Sequence, residues 1–288
     1  IGQTVTLTAT VGSSVNGLGT PTGVVSFTIP SGQLAAVSLN SGIATLITNT
    51  LPAGTYPITA TYGGDANFGP SLARLVADQT VNQAGSTTSL VSNPNPSVFG
   101  QTVTLTATVG SSLNGLGTPS GVVSFTIGAG LPVTTSLSNG IATLITNTLP
   151  AGTYPITATY GGDAKFAASQ ASLVTDQTVN KADTTTGLAT SPVPSHGGAS
   201  LTITATVATV APGAGIPTGV VTFTIDGATA GAPALSATDV VTLTTALLAP
   251  ATHSLNVTYS GDTNFNASSL NSQVILSPYK LFMPFVDH

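Results

Sequence analysis

The sequence has no cysteine, no tryptophan and one methionine, and charged residues make up 5% of its 288 positions. Each scarcity excludes something. Without cysteine there is no disulfide scaffold, no zinc ribbon and no thiol nucleophile. Glutamate is absent, and the basic residues are four: Arg74, Lys165, Lys181 and Lys280. Four scattered cations at a net charge of −5 do not make a nucleic-acid footprint. Soluble helices spend Glu, Lys and Arg on their exposed faces, so their scarcity argues against a helical protein. No apolar run approaches the roughly 18 residues of a membrane-spanning helix. A hydrophobic content of 41% with so little charge is the reverse of the disordered signature. The first residue is Ile1 and no signal-peptide pattern follows it, which reads as a processed product or a fragment.

What the chain does contain is threonine, about fifty of them, alternating with Val, Leu, Ile and Ala. That alternation suits a pleated surface with one face buried. The chain is also a tandem array. GQTVTLTATV at Gly2–Val11 returns unchanged at Gly100–Val109 and as GASLTITATV at Gly198–Val207, a spacing of 98 residues each time. PTGVVSFTI at Pro21–Ile29 recurs at Pro119–Ile127 and Pro217–Ile225. GTYPITATYGGDANF at Gly54–Phe68 recurs at Gly152–Phe166. The third copy, ATHSLNVTYSGDTNF at Ala251–Phe265, runs one residue out of step.

The middle copy reads strand by strand. Ser86–Val91 is a first strand, followed by turn-rich Asn93-Pro94-Asn95-Pro96. Gln101–Val109 points Val103, Leu105, Ala107 and Val109 inward. Val122–Ile127, Pro132–Leu137 and Ile141–Thr146 follow, the last two joined by the turn pair Asn139-Gly140. Tyr154–Tyr160 and Ala171–Val179 close the copy. Some seven short strands with turns every 8–12 residues describe an immunoglobulin-like sandwich. The expected architecture is all-β, three such sandwiches in an extended, semi-rigid rod. The expected boundaries are residues 1–82, 83–181 and 182–276, with 277–288 as a tail.

The motif G-T-Y-x-I-T-A-T-Y-x-G-D-x-x-F, after P-[TS]-G-V-V-[ST]-F, resembles the bacterial Ig-like domain repeats of large cell-surface and secreted proteins. The resemblance spans roughly residues 1–276 in three copies. It implies an extracellular or surface location and a role as stalk, spacer, adhesin module or fibre subunit.

The two ends depart from the repeat. Ile1 aligns with Phe99, so nothing in the first copy matches Ser86–Val98. The first domain is expected to lack its first strand and to leave core and backbone groups open to water. After Leu276 come Ser277–His288, SPYKLFMPFVDH, with no counterpart in the other copies. Tyr279, Leu281, Met283 and Phe285 would share one face of a strand, and Phe282 and Val286 the other. Extended, twelve residues span at most about 40 Å, ample for a sandwich edge. The expected device is head-to-tail strand donation. These six tail residues enter the first domain of the next copy, beside the acceptor residues Val5, Leu7, Ala9 and Val11. The expected partners are further copies of the chain itself, with a surface glycan or an envelope anchor as additional ones. Two rivals stand for the tail. It resembles the Y-x-[IVL]-[YF]-[LM]-P-[LF]-V ending of secreted proteins of filamentous thermophilic phototrophic bacteria, which implies a sorting signal. It could also fold back on the third domain.

Site chemistry is sparse, and no cofactor or catalytic group is expected. Asp65, Asp163 and Asp262 recur in a Gly-Asp turn, as weak calcium candidates or as Asx-type turns, the latter favoured. His196, His253 and His288 are scattered, and His253 replaces Tyr56 and Tyr154 of the other copies. Asn256 and Asn266 begin N-glycosylation sequons. A stalk in a larger adhesin and a carbohydrate- or ligand-binding module are the alternatives to a filament subunit.

Overall fold

The computed structural model describes the chain except residues 30–33, 192–194, 197, 199, 236–237, 246–247 and 279–288. Every regular element among the described residues is a strand. The first domain contributes β1 (Val5–Thr10), β2 (Val24–Thr28), β3 (Leu34–Ser38), β4 (Ile43–Thr48), β5 (Gly54–Tyr56), β6 (Thr59–Tyr62), β7 (Ser71–Arg74) and β8 (Gln79–Val81). The second contributes β9 (Ser86–Asn93), β10 (Ser97–Val98), β11 (Val103–Ser111), β12 (Val122–Ile127), β13 (Val133–Ser136), β14 (Ile141–Thr146), β15 (Gly152–Tyr154), β16 (Ile156–Tyr160), β17 (Ser169–Ser172) and β18 (Gln177–Asn180). The third contributes β19 (Thr184–Ser191), β20 (Ser195–His196), β21 (Thr202–Thr209), β22 (Gly219–Ile225), β23 (Ala228–Gly231), β24 (Ala234–Leu235), β25 (Val240–Thr244), β26 (Thr252–Tyr259) and β27 (Ser268–Ser277).

In the second domain one sheet runs β14-β11-β9 and the facing sheet β13-β12-β16-β17. The alternation of β11 becomes the core directly. Val103, Leu105, Ala107 and Val109 are buried against Val123, Phe125, Ile156, Ala158 and Tyr160. The threonines between them face out or sit half-buried. Asn139 and Gly140 both take positive φ, and Ser138 and Ile141 exchange backbone hydrogen bonds across them, the turn a two-residue hairpin needs. The third domain repeats the plan around its own core of Ile203, Ala205, Val207, Phe223 and Tyr259.

Tyr154–Tyr160 is not one strand. It divides at Pro155 into β15, which pairs with β18, and β16, which pairs with β12 and β17. Proline has no N–H to give a ladder, so the strand changes sheets there. Ala171–Val179 divides in step, into β17 and β18. Pro57 divides the first domain's strand likewise. The third domain has Ser254 at this position, and β26 runs unbroken, paired along its whole length with an unbroken β27.

Consecutive domains meet through the same positions. Ile1 packs with Leu116 on the second core, and Phe99, 98 residues on, packs on the third. Phe99 meets Phe265 edge to face at 5.3 Å. The Gln83 side chain donates to the carbonyl of Asp163, and that of Lys181 to the carbonyl of Asp262. Ala84 bridges Phe166 and Ala182 bridges Phe265, each with its backbone in parallel.

Candidate interaction edge of the first domain

The central strands β11 and β21 each have two neighbours. Strand β11 pairs with β14 on one side and with Ser86–Asn93 on the other. Strand β21 lies between β25 and β19. Strand β1 has the same sequence as its counterpart in β11 and the same register on one side, Leu7 opposite Leu46 as Leu105 is opposite Leu144. Its other edge pairs with nothing among the described residues. Strand β8 is open in the same way: β10 lies beside β18, and among the described residues no strand lies there beside β8.

Side chains register the difference. Val103, Ala107 and Val109 are buried; Val5, Ala9 and Val11 are half-buried. Leu7 stays buried at 5%, against 0% for Leu105. Three clefts follow the track that β9 and β10 occupy in the second domain. One of about 70 Å³ lies between Ala9, Val11, Ala60 and Ser71–Ala73. The next, about 180 Å³, is lined by Leu7, Ala9, Phe27, Ile58, Ala73 and Arg74. The third, about 480 Å³, runs along Thr4–Thr6 and Gln79–Asn82. All four expected acceptor residues therefore line this track. The expected donor residues Tyr279, Leu281, Phe282, Met283, Phe285 and Val286 lie outside the described residues.

Two polar positions mark the edge more sharply than the apolar ones. Gln177 is wholly buried. Its amide donates to the Pro94 carbonyl at 3.2 Å, Ser97 Oγ at 3.1 Å and the Thr178 carbonyl at 2.9 Å, and its Oε1 accepts from Ser92. Gln79, its first-domain counterpart, is half-exposed and among the described residues donates only to the Thr80 carbonyl, at 2.9 Å. Ser169 Oγ bonds Ser86 Oγ and Thr88 Oγ1, both at 2.7 Å, and Ser268 Oγ bonds Thr184 and Thr186 in the same fashion. Ser71 holds that position in the first domain, is exposed, and meets no such hydroxyl among the described residues. Sequence reasoning missed these positions. The recurrence of Gln79 with Gln177, and of Ser71 with Ser169, at the 98-residue spacing was the available signal.

The Gly-Asp turns are stapled by their own carboxylates. Asp65 Oδ2 accepts from the Thr22 N–H and hydroxyl, both at 2.8 Å, and its Oδ1 from the Asn67 and Phe68 N–H groups. Asp163 does the same with Ser120, Lys165 and Phe166, and Asp262 with Thr218, Asn264 and Phe265. These donors, the Thr22 N–H first, hold Asp65 well below the ordinary carboxylate range. Partial burial opposes the same effect at Asp163 and Asp262 without overcoming it. Among the described residues no three His, Asp or Glu side chains gather as a metal site.

His253 does the work of the tyrosines it replaces. Tyr56 and Tyr154 donate their hydroxyls to the carbonyls of Pro52 and Pro150, four residues back. His253 Nε2 meets the Ala249 carbonyl at 3.0 Å, and Nδ1 meets Asp226 Oδ2 at 2.6 Å. Both ring nitrogens face acceptors only, which favours the doubly protonated ring. The hydrogen bond to Asp226 accordingly raises the pKa of His253 and lowers that of the carboxylate. Asn256 and Asn266 hydrogen-bond the side chains of Asn271 and Asp183.

A family model described as bacterial Ig-like domain (group 3) matches residues 1–82, 90–180 and 186–276. None of the curated proteins matches the chain. Solved structures with a similar course include the fibronectin(III)-like modules of Clostridium thermocellum CbhA, at 20% identity over 70% of this chain and all of that one (TM-score 0.29). Domains A168–A170 of titin are 15% identical over 96% and 94% (TM-score 0.35). The mouse nectin-like molecule 4 ectodomain is 12% identical over 98% and 97% (TM-score 0.30).

Proposed function

This chain belongs to the bacterial Ig-like domain family (group 3), and we propose on that footing that it is a non-enzymatic structural subunit of an extracellular filament. Copies join head to tail. The C-terminal segment of one chain adds as a strand along the open edge of β1 in the next, supplying the pairing that Ser86–Asn93 supplies within the second domain. The contact joins unlike ends, so it propagates without closing. One observation carries the reading: an identical strand sequence is covered in the second domain and, among the described residues, open in the first. Among the described residues no helix is long and apolar enough to cross a membrane, and the reading asks for none.

Removing residues 278–288 tests it. The full chain is expected to form filaments visible by electron microscopy, and the truncated chain to sediment as a monomer. Filaments from the truncated chain would sink the reading. A second reading rests on the repeat itself: the 98-residue period meets Ile1 in mid-copy, so residues preceding it in a longer stalk would fill the same edge. Mass spectrometry of the native protein's N-terminal peptide separates the two.

A further inference from the structure

Resting on that strand-donation reading, we infer that the tail enters the next copy in one register, with Phe285 as its anchor, so that the junction between copies repeats the two junctions inside the chain. The spacing of the internal junctions sets the register. Val81 pairs with Gly54, and nine residues later Leu90 enters the second core. Val179 pairs with Gly152, and nine residues later Leu188 packs on the third core. Leu276 holds the matching place at the end of the third domain, its N–H bonded to the Ala251 carbonyl at 2.9 Å. Nine residues beyond it stands Phe285.

The rest of the tail follows from that placement. Leu281 takes the position of Ser86 and Thr184, Met283 that of Thr88 and Thr186, and Asp287 that of Ser92 and Thr190. Leu90 lies opposite Ala107 and Ser92 opposite Leu105. Phe285 therefore lies over Ala9 of the next copy and Asp287 over Leu7. Leu281 and Met283 stand where the second domain has Ser86 and Thr88, which puts Leu281 opposite Ser13 and Met283 opposite Val11, so Met283 and Phe285 share the cleft along Ala9 and Val11. Charge agrees with the placement. Arg74, the first domain's one basic side chain, lines the cleft with Leu7, and Gln79, with one hydrogen bond among the described residues, lines the neighbouring cleft along Thr4–Thr6. Ser172 and Asn271 stand where Arg74 stands in the other two domains, whose own first strands carry Ser92 and Thr190 instead of an aspartate. This register sets Asp287 over Leu7, beside a cleft that Arg74 lines, a combination of charges that the other two domains lack at the corresponding positions. In this register the tail pairs with β1 as far as Asn93's place, held by His288.

The native chain has no cysteine, so paired cysteines report the register cleanly. Val91 lies opposite Thr106, which puts Val286 opposite Thr8. Full-length T8C/V286C, assembled and oxidised with oxidised glutathione, is expected to run as a covalent ladder on a non-reducing gel, and T8C/F282C as monomer. A ladder from T8C/F282C alone places Leu281, not Phe285, in the Leu90 position and overturns the register while strand donation stands. No ladder from either pair also overturns it, and the assembly state of the chain lacking 278–288 then decides whether strand donation itself survives.

Discussion

The first and second domains are the same strand in two environments. Residues 2–11 and 100–109 are identical, and β1 and β11 meet their hairpin partners in the same register. Yet Ala107 is sealed and Ala9 is half-open, and Gln177 is buried with four partners where Gln79 has one. The alternation of a strand therefore decides which face turns inward. Whether that face is dry depends on the neighbour across the edge. What β9 supplies is not more apolar surface of its own, since Leu90 is its one fully apolar buried side chain. It supplies a lid over residues already present and polar partners for two side chains.

The largest test of this contrast is truncation of the paired leucines. Leu105→Ala empties a sealed site and is expected to cost about 3 kcal/mol. Leu7→Ala faces a cleft that water already reaches, so the expected cost in the unassembled chain is smaller, about 2 kcal/mol. Amide exchange resolved by domain measures both. Equal losses would show that β9 adds nothing to the burial of Leu105. In assembled filaments the two costs are expected to converge.

Next in size is the glutamine pair. Gln177→Ala strands the Ser92 and Ser97 hydroxyls and the Pro94 carbonyl, with an expected cost of about 1–3 kcal/mol. Gln79→Ala removes a single bond from a half-exposed side chain and is expected to change the unassembled first domain by under about 0.5 kcal/mol. A comparable loss at both positions would mean that the first domain's edge is not open in solution.

The third domain sharpens the comparison through pH. His253 has a raised pKa in the fold, so its contribution is full below the unfolded histidine value near 6.5 and fades as pH rises through the folded value. Asp226 is lowered, so its contribution is full above the unfolded carboxylate value near 3.9 and fades as pH falls through the folded value. The pair is strongest from roughly pH 4 to 6.5. As pH rises above about 6.5 and through the folded value of His253, the third domain is expected to lose protection from amide exchange, while the first two, which contain no histidine, do not follow. His253→Tyr should remove the slope.

Much of this was legible from residues alone. The spacing of 98 exposed three sandwiches and the unmatched Ser86–Val98, because repeats share one register. The division of the penultimate strand was less visible: Pro57 and Pro155 marked it, but the alternation reads straight through them, and only the missing N–H redirects the pairing. Gln79 and Ser71 carried no signal as single residues. Their meaning lies in what Gln177 and Ser169 touch, and those contacts span some 80 residues of chain.

The smallest expected effect is also the most specific to the open edge. Arg74 pairs with Asp78 at 3.5 Å on an exposed surface, a contact worth little. If Asp287 of the preceding copy reaches the same cleft, Arg74→Asp and Asp287→Arg should each weaken assembly several-fold at low salt and much less at about 0.5 M, because exposed charges are screened within a Debye length. The double reversal should restore assembly, since the pair is rebuilt with its signs exchanged. Tail residue 287 has no counterpart partner in the second domain, where Ser172 replaces the arginine. The rescue therefore distinguishes a tail in the first domain's groove from one folded onto its own third domain, where Asn271 holds that place and Arg74 has no reason to matter.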